Sequence, residues 1–140
     1  MTITRFIWSW IAAALAMLML SYVWHGLILN DFRNLSLSLP HFLGLSVVAY
    51  FFISAILNIV LHYIMVEEVA ITKGVLVGAA FGFFLYLAVY TLGLAYHARG
   101  MKHLVIDFMW QMIEQGAGAF VIGFAFRIYE RNDAMRTSED

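Results

Sequence analysis

Four stretches of the chain stay apolar for the length a helix needs to cross a bilayer: residues 6–29, 42–65, 74–96 and 104–126. A hydrocarbon core takes roughly 20 residues of helix, and at about 1.5 Å per residue each stretch reaches roughly 35 Å, enough to cross with some tilt. The first is expected to be retained and not cleaved. A signal core is about 7–15 residues long and ends at a small-residue site. Here Ala12, Ala13 and Ala14 are followed by further apolar residues, Met17, Leu18, Met19 and Leu20. The connections 30–41, 66–73 and 97–103 are short, and short connections make sequential helices antiparallel. Pro40 suits the start of the second span, where its missing N–H costs little. The predicted fold is all-α: an integral membrane four-helix bundle of up-down topology over residues 1–130. Residues 131–140 are expected to form a polar, disordered cytoplasmic tail.

Composition sharpens this picture. The chain of 140 residues is 64% hydrophobic and 12% charged, against about 45–50% and about 25% in ordinary soluble domains. A soluble fold of this size has too little interior to hide that surface. With no cysteine there is no disulfide, thiolate metal site or cysteine nucleophile. A net charge of −1 without a basic run excludes a nucleic-acid surface. Arg5, Lys73, Arg127, Arg131 and Arg136 fall on one side of the predicted bundle, and Arg33, Arg99 and Lys102 on the other. The positive-inside rule then places both termini in the cytoplasm. Trp8 and Trp10 would lie at the inner interface and Trp24 near the outer one.

Candidate chemistry sits in polar stripes inside the spans. His103, Asp107, Gln111, Glu114 and Gly118 recur at spacings that keep them on one face of the fourth helix, flanked by Gln115. An ionised carboxylate in hydrocarbon is costly, so Asp107 and Glu114 should face the bundle interior, an aqueous cavity or a partner. Ser46, Tyr50, Ser54, Asn58 and His62 repeat every four residues on the second span, Tyr86 and Tyr90 continue the face of Gly82 on the third, and Ser21 and His25 lie on the first. Alternating directions bring Ser21, His25, Tyr50, Tyr90, Asp107 and Gln111 into the outer half, Tyr86, Ser54 and Glu114 to the middle, and Asn58 and His62 to the inner side. Such a core can carry a proton, because burial disfavours the charged carboxylate, or receive a cation. A purely structural role is the alternative. Ser, Asn and Tyr in spans hydrogen-bond neighbouring helices for about 0.6 kcal/mol on average, and a buried acidic pair can hold helices in register.

Other chemistries lack their signatures. HxxxH, ExxH and CxxC are absent from the sequence, so no metal site is predicted. Haem would need His25 with His97 or His103, and both latter residues lie at the membrane edge. No Ser/His/Asp arrangement, GxSxG or phosphate-cradling loop points to an enzyme. No cofactor is named by these residues.

Small residues mark helix contacts. Gly74, Gly78 and Gly82 form a groove on one face of the third span. Gly116, Gly118 and Gly123, interleaved with Ala117 and Ala119, do the same on the fourth. These grooves can serve packing within the bundle or a second subunit.

Tyr22-Val23-Trp24-His25-Gly26-Leu27 resembles the first-span motif D-x-x-W-L-G-L of an uncharacterised bacterial family of small four-span membrane proteins. Gly78, Gly82, Tyr86 and Tyr90 at four-residue spacing resemble that family's third span, and Asp107-Phe108-Met109-Trp110 its D-x-x-W fourth span. Ser21 and Tyr22 stand where the family has an acidic residue. The resemblance implies a four-span domain in a bacterial inner membrane, gives weight to Trp24, Tyr86, Tyr90, Asp107 and Trp110, and carries no activity. The resulting expectation is a polar, acidic intramembrane site binding a small ligand, cation or proton. Asp107 and Glu114 would be its charged groups, and Gln111, His25, Tyr90, Tyr86, Trp24 and Trp110 its lining. Expected partners are membrane lipid and either a homo-oligomer or a larger membrane complex, in which the protein would be an accessory subunit.

Overall fold

The computed structural model describes residues 3–30, 38–65, 71–92 and 101–137, with the side chains of 101–103, 133, 136 and 137 left aside. Helix α1 (Ile3–Ser21) continues as a π-helical turn (Tyr22–Ile28). Three helices follow: α2 (Leu39–Ile64), α3 (Ile71–Thr91) and α4 (Met101–Thr137). No strand occurs among the described residues. Ser38 holds an extended conformation before α2, and Pro40 lies in its first turn, as its fixed φ favours. Leu39, expected in the connection, already belongs to the helix. The connecting residues 31–37, 66–70 and 93–100 lie outside the described set.

Three helical segments are long and apolar enough to cross a membrane: Ile3–Ile28, Leu39–Ile64 and Ile71–Thr91. Helix α4 is the longest at 37 residues, but Gln111, Glu114 and Gln115 crowd its centre with polarity. It also runs further than expected. The tail read as disordered from residue 131 is helical through Thr137. Residues 131–136 contain neither Gly nor Pro, so nothing breaks a helix already nucleated upstream.

Contacts fix the relative directions. The α1–α4 pair is antiparallel, with Arg5 beside Glu130, Met17 beside Gly118 and Trp24 on Trp110. The α1–α2 pair is also antiparallel: Asn58 Nδ2 donates to the carbonyl of Phe6 at 3.1 Å and to Ser9 Oγ at 2.9 Å, and Trp10 Nε1 donates to the carbonyl of Phe51 at 2.7 Å. These bonds satisfy polar groups that would otherwise be stranded in an apolar core. Helix α3 lies antiparallel on α4 through its glycines. A Cβ at Gly78 would meet the Gln115 carbonyl oxygen at 2.5 Å, and one at Gly82 the Gln111 carbonyl oxygen at 2.6 Å. At these two positions the backbones approach too closely for any side chain. Gly74 faces the flexible tip of Met65, and Gly118 faces Met17. Gly116 differs from the expectation of tight packing: a Cβ there would reach only ordinary contact, 3.6 Å from the Val75 carbonyl.

The buried apolar core gathers Ala13, Leu57, Leu61, Ala119, Ile122 and Phe126. At the end holding Arg5, the guanidinium lies 4.0 Å from the centre of the Phe126 ring and 3.8 Å from the Glu130 carboxylate. His62 meets the same ring edge-on.

Candidate intramembrane acidic site

Helix α4 carries Glu114 near the middle of the apolar stretch and turns it toward α1 and α2. The side chain is fully buried. Its carboxyl lies against the side chains of Tyr50 on α2 and Trp110 on α4, and Tyr50 in turn lies against Ser21 on α1. These approaches fall outside hydrogen-bond geometry: neither carboxyl oxygen of Glu114 has a partner, and neither does the indole N–H of Trp110. Burying even a neutral polar group unpaired costs a few kcal/mol, and an unpaired charge far more.

One turn along α4, Trp110 stacks on Trp24 with ring centres 4.1 Å apart and planes 7° from parallel. Trp24 is delivered by the π-helical turn, in which Leu29 N–H donates to the Trp24 carbonyl at 2.8 Å across five residues. A π turn takes up one residue more than an α turn, which shifts the helix phase at that point, and such turns are frequent at functional sites. The Trp24 indole N–H is likewise buried without a partner. His25 is half-buried in the same turn.

Asp107 belongs to a second cluster. It lies within electrostatic reach of Tyr86 on α3, whose hydroxyl donates to the Leu104 carbonyl at 3.2 Å. The Tyr86 ring meets Phe108 edge-on at 5.6 Å. Asp107 and Glu114 are two helical turns apart, about 10 Å along the axis, and their neighbours come from different helices. The predicted set is therefore divided. Glu114, Trp110 and Trp24 meet on the α1–α2 side, and Asp107 and Tyr86 on the α3 side. Gln111 is half-buried, with its backbone beneath Gly82. Tyr90 is 52% exposed and lies at the rim of the second cluster, within electrostatic reach of Tyr86.

Tyr50 and Ser21 were not in the predicted set, although Tyr50 shares its helix face with Ser54 and Asn58 and Ser21 lies one turn from His25. Depth in the membrane was the available signal. Depth sets both residues one layer further out than Glu114, whereas the structure brings the three side chains together through Tyr50. Gln115, fully buried with both amide atoms unpartnered, is a further polar group in the core. Ser46 and Ser54 hydroxyls donate to carbonyls of their own helix. His41 is exposed and bonded to Ser38 at 2.6 Å. Among the described residues, no three His, Asp or Glu side chains gather as metal ligands. His97 and the side chain of His103 lie outside the described set.

No protein-family model, curated protein or solved structure matches the chain.

Proposed function

We propose that the protein is a four-span, up-down membrane bundle that binds a proton or small cation at Glu114, in a transport- or binding-type role. The observation that carries this reading is a fully buried carboxyl with both oxygens unpartnered. An ionised carboxylate so placed would have no compensating cation, only the neutral Tyr50 and Trp110 side chains beside it. The neutral carboxyl is the form that burial permits. A proton that enters and leaves, or a cation that takes its place, gives the group a function that glue between helices does not need. Tyr50 and Ser21 would extend the site, and Trp24 and Trp110 would close it on one side. The Asp107–Tyr86 cluster would serve as a separate, outer polar station. The positive-inside asymmetry supports cytoplasmic termini. The first-span, third-span and D-x-x-W resemblances support a place in a bacterial inner membrane.

The test is dicyclohexylcarbodiimide, an apolar reagent that attacks neutral carboxyl groups in apolar surroundings. Mass spectrometry of the protein in mild detergent should show one adduct, mapped to Glu114 and absent from Glu114→Gln, while that variant keeps its helical circular dichroism. A Glu114→Gln protein that no longer folds would make the carboxyl structural.

A second reading, assembly into a homo-oligomer or larger membrane complex, is favoured by one observation. An open apolar groove of about 490 Å³ runs along the outer side of α3 and α4, lined by Val75, Ala79, Met112, Ile113, Gly116 and Phe120. Gly78 and Gly82 of α3 are taken up by α4 and Gly74 by Met65 within the chain, so this outer groove, and not the glycine stripe, is the surface such a partner would use.

A further inference from the structure

The packing of the protein is lopsided about Glu114. On α1 the buried residues are Ser9, Ala13, Ala14 and Met17, and the π turn that follows has none. On α2 burial begins at Ser54 and continues toward the C-terminus through Leu57, Asn58 and Leu61. On α3 it ends at Gly82. On α4, among the described side chains, Glu114 is the first buried residue reached from the N-terminal end. The contacts of Met17 with Gly118 and of Trp24 with Trp110 bracket Glu114 at the level of Ser21. Glu114 therefore lies at the boundary between a sealed half and a loosely packed half.

The two halves differ in chemistry as well. Between Glu114 and the Arg5 end stand Ala13, Met17, Leu57, Leu61, Ala119 and Ile122, all fully buried, together with the equally buried polar residues Ser9, Ser54, Asn58 and Gln115. Water needs space to occupy an interior, and a layer whose side chains are fully buried and close-packed leaves little of it. On the side of the π turn, Ser21 and Tyr50 flank Glu114 at its own level, and His25 is one turn from Ser21. The titratable group against Glu114 is Tyr50 from α2; His25 is half-buried in the π turn of the first helix, and Asp107 is two turns away on α4 itself. Helix α3 presents glycines to the opposite face of α4 and no titratable side chain at this level.

We propose that Glu114 is open to water and small cations from the π-turn end of the molecule alone, along a polar route through Ser21 and Tyr50 that the Trp24–Trp110 stack narrows. This assigns the buried carboxyl a sidedness, and it rests on the reading of Glu114 as a proton- or cation-binding group. The stack crosses the route because Trp24 and Trp110 occupy facing helices one turn nearer the π-turn end. The Trp24 indole N–H is buried without a partner and can donate to water or a ligand passing it, whereas the Trp110 side chain lies against Glu114.

The chain has no cysteine, so single cysteines report access without background. Ser21→Cys, Ser54→Cys, Asn58→Cys and, as a control at the end of the π turn, Asn30→Cys would each be placed in liposomes and treated with a charged, membrane-impermeant methanethiosulfonate. Modification is read by intact mass. Ser21→Cys should react from the side on which Asn30→Cys reacts, faster than Asn58→Cys by an order of magnitude or more. Adding Trp24→Ala should speed Ser21→Cys and leave Asn58→Cys unchanged. Comparable rates at Ser54→Cys or Asn58→Cys, or an inert Ser21→Cys beside a reactive Asn30→Cys, overturn the one-sided route. Carbodiimide modification in detergent, which has no sidedness, reads the binding group separately. An adduct on Glu114 with an inert Ser21→Cys refutes the route and supports the binding group. A labelled Ser21→Cys with no adduct on Glu114 refutes the binding group and supports the route.

Discussion

At the scale of single residues, two kinds of position matter most: those where a side chain cannot be added and those where a polar atom has no partner. Gly82 is of the first kind, since the Gln111 carbonyl lies where a Cβ would go. Gly82→Ala should push α3 off α4 and cost about 1–3 kcal/mol, as overpacking does. Gly116→Ala should be close to neutral, because only ordinary contact awaits its methyl group. Thermal unfolding of both variants in the same detergent checks the contrast, and equal losses would mean that the α3–α4 approach is looser than described. The spacing of Gly74, Gly78 and Gly82 made this surface legible in the sequence. The looser contact at Gly116 was not legible, because spacing gives a shared face and not the distance to the neighbour across it. Glu114 is of the second kind. Its burial followed from its place in an apolar span, but its neighbours Tyr50 and Ser21 depend on the relative shift of three helices along the membrane normal. No single-helix pattern sets that shift. Arg5 is a milder case: its pair with half-exposed Glu130 contributes at most about 1 kcal/mol.

At the scale of elements, the π turn was invisible to hydropathy. An α-helix and a π turn have the same apolar composition, and only the five-residue bond from Leu29 to Trp24 distinguishes them. Its consequence is the stacked tryptophan pair. Deleting Val23 should restore α-helical phase, turn Trp24 by about 100° and abolish the stack. The measurement is near-ultraviolet circular dichroism, in which two stacked indoles produce a coupled pair of bands. Trp24→Phe should remove the same signal, and its survival in either variant would contradict the described pairing. The continuation of α4 to Thr137 was hidden for a different reason. A polar sequence without Gly or Pro is compatible with helix or disorder, and attachment to a preformed helix decides between them.

At the scale of the whole molecule, the helical content and the apolar spans were readable from composition and run length alone. Whether α4 crosses the membrane turns on a polar centre that lowers its apolarity while marking the most informative residues of the chain. A four-span protein has both termini on one side, and a three-span protein has them on opposite sides. Reporter enzymes fused in turn to each end should both be active on the cytoplasmic side. Opposite results would remove α4 from the bilayer and, with it, the need for Glu114 to be neutral. The core is lopsided: a close-packed half lies toward Arg5 and a loosely packed half toward the π turn, with the acidic group at their boundary.

The central claim is that Glu114 is a neutral carboxyl that exchanges its proton while buried among α1, α2 and α4. Infrared spectroscopy of the protein in lipid reads this directly, since a protonated carboxyl has a carbonyl band separate from the amide and carboxylate bands. The expected spectrum contains such a band at neutral pH. The band shifts when the sample is moved into deuterium oxide and is missing from Glu114→Gln. A spectrum of the native protein identical in this region to that of Glu114→Gln would show that Glu114 is ionised, and would contradict the account.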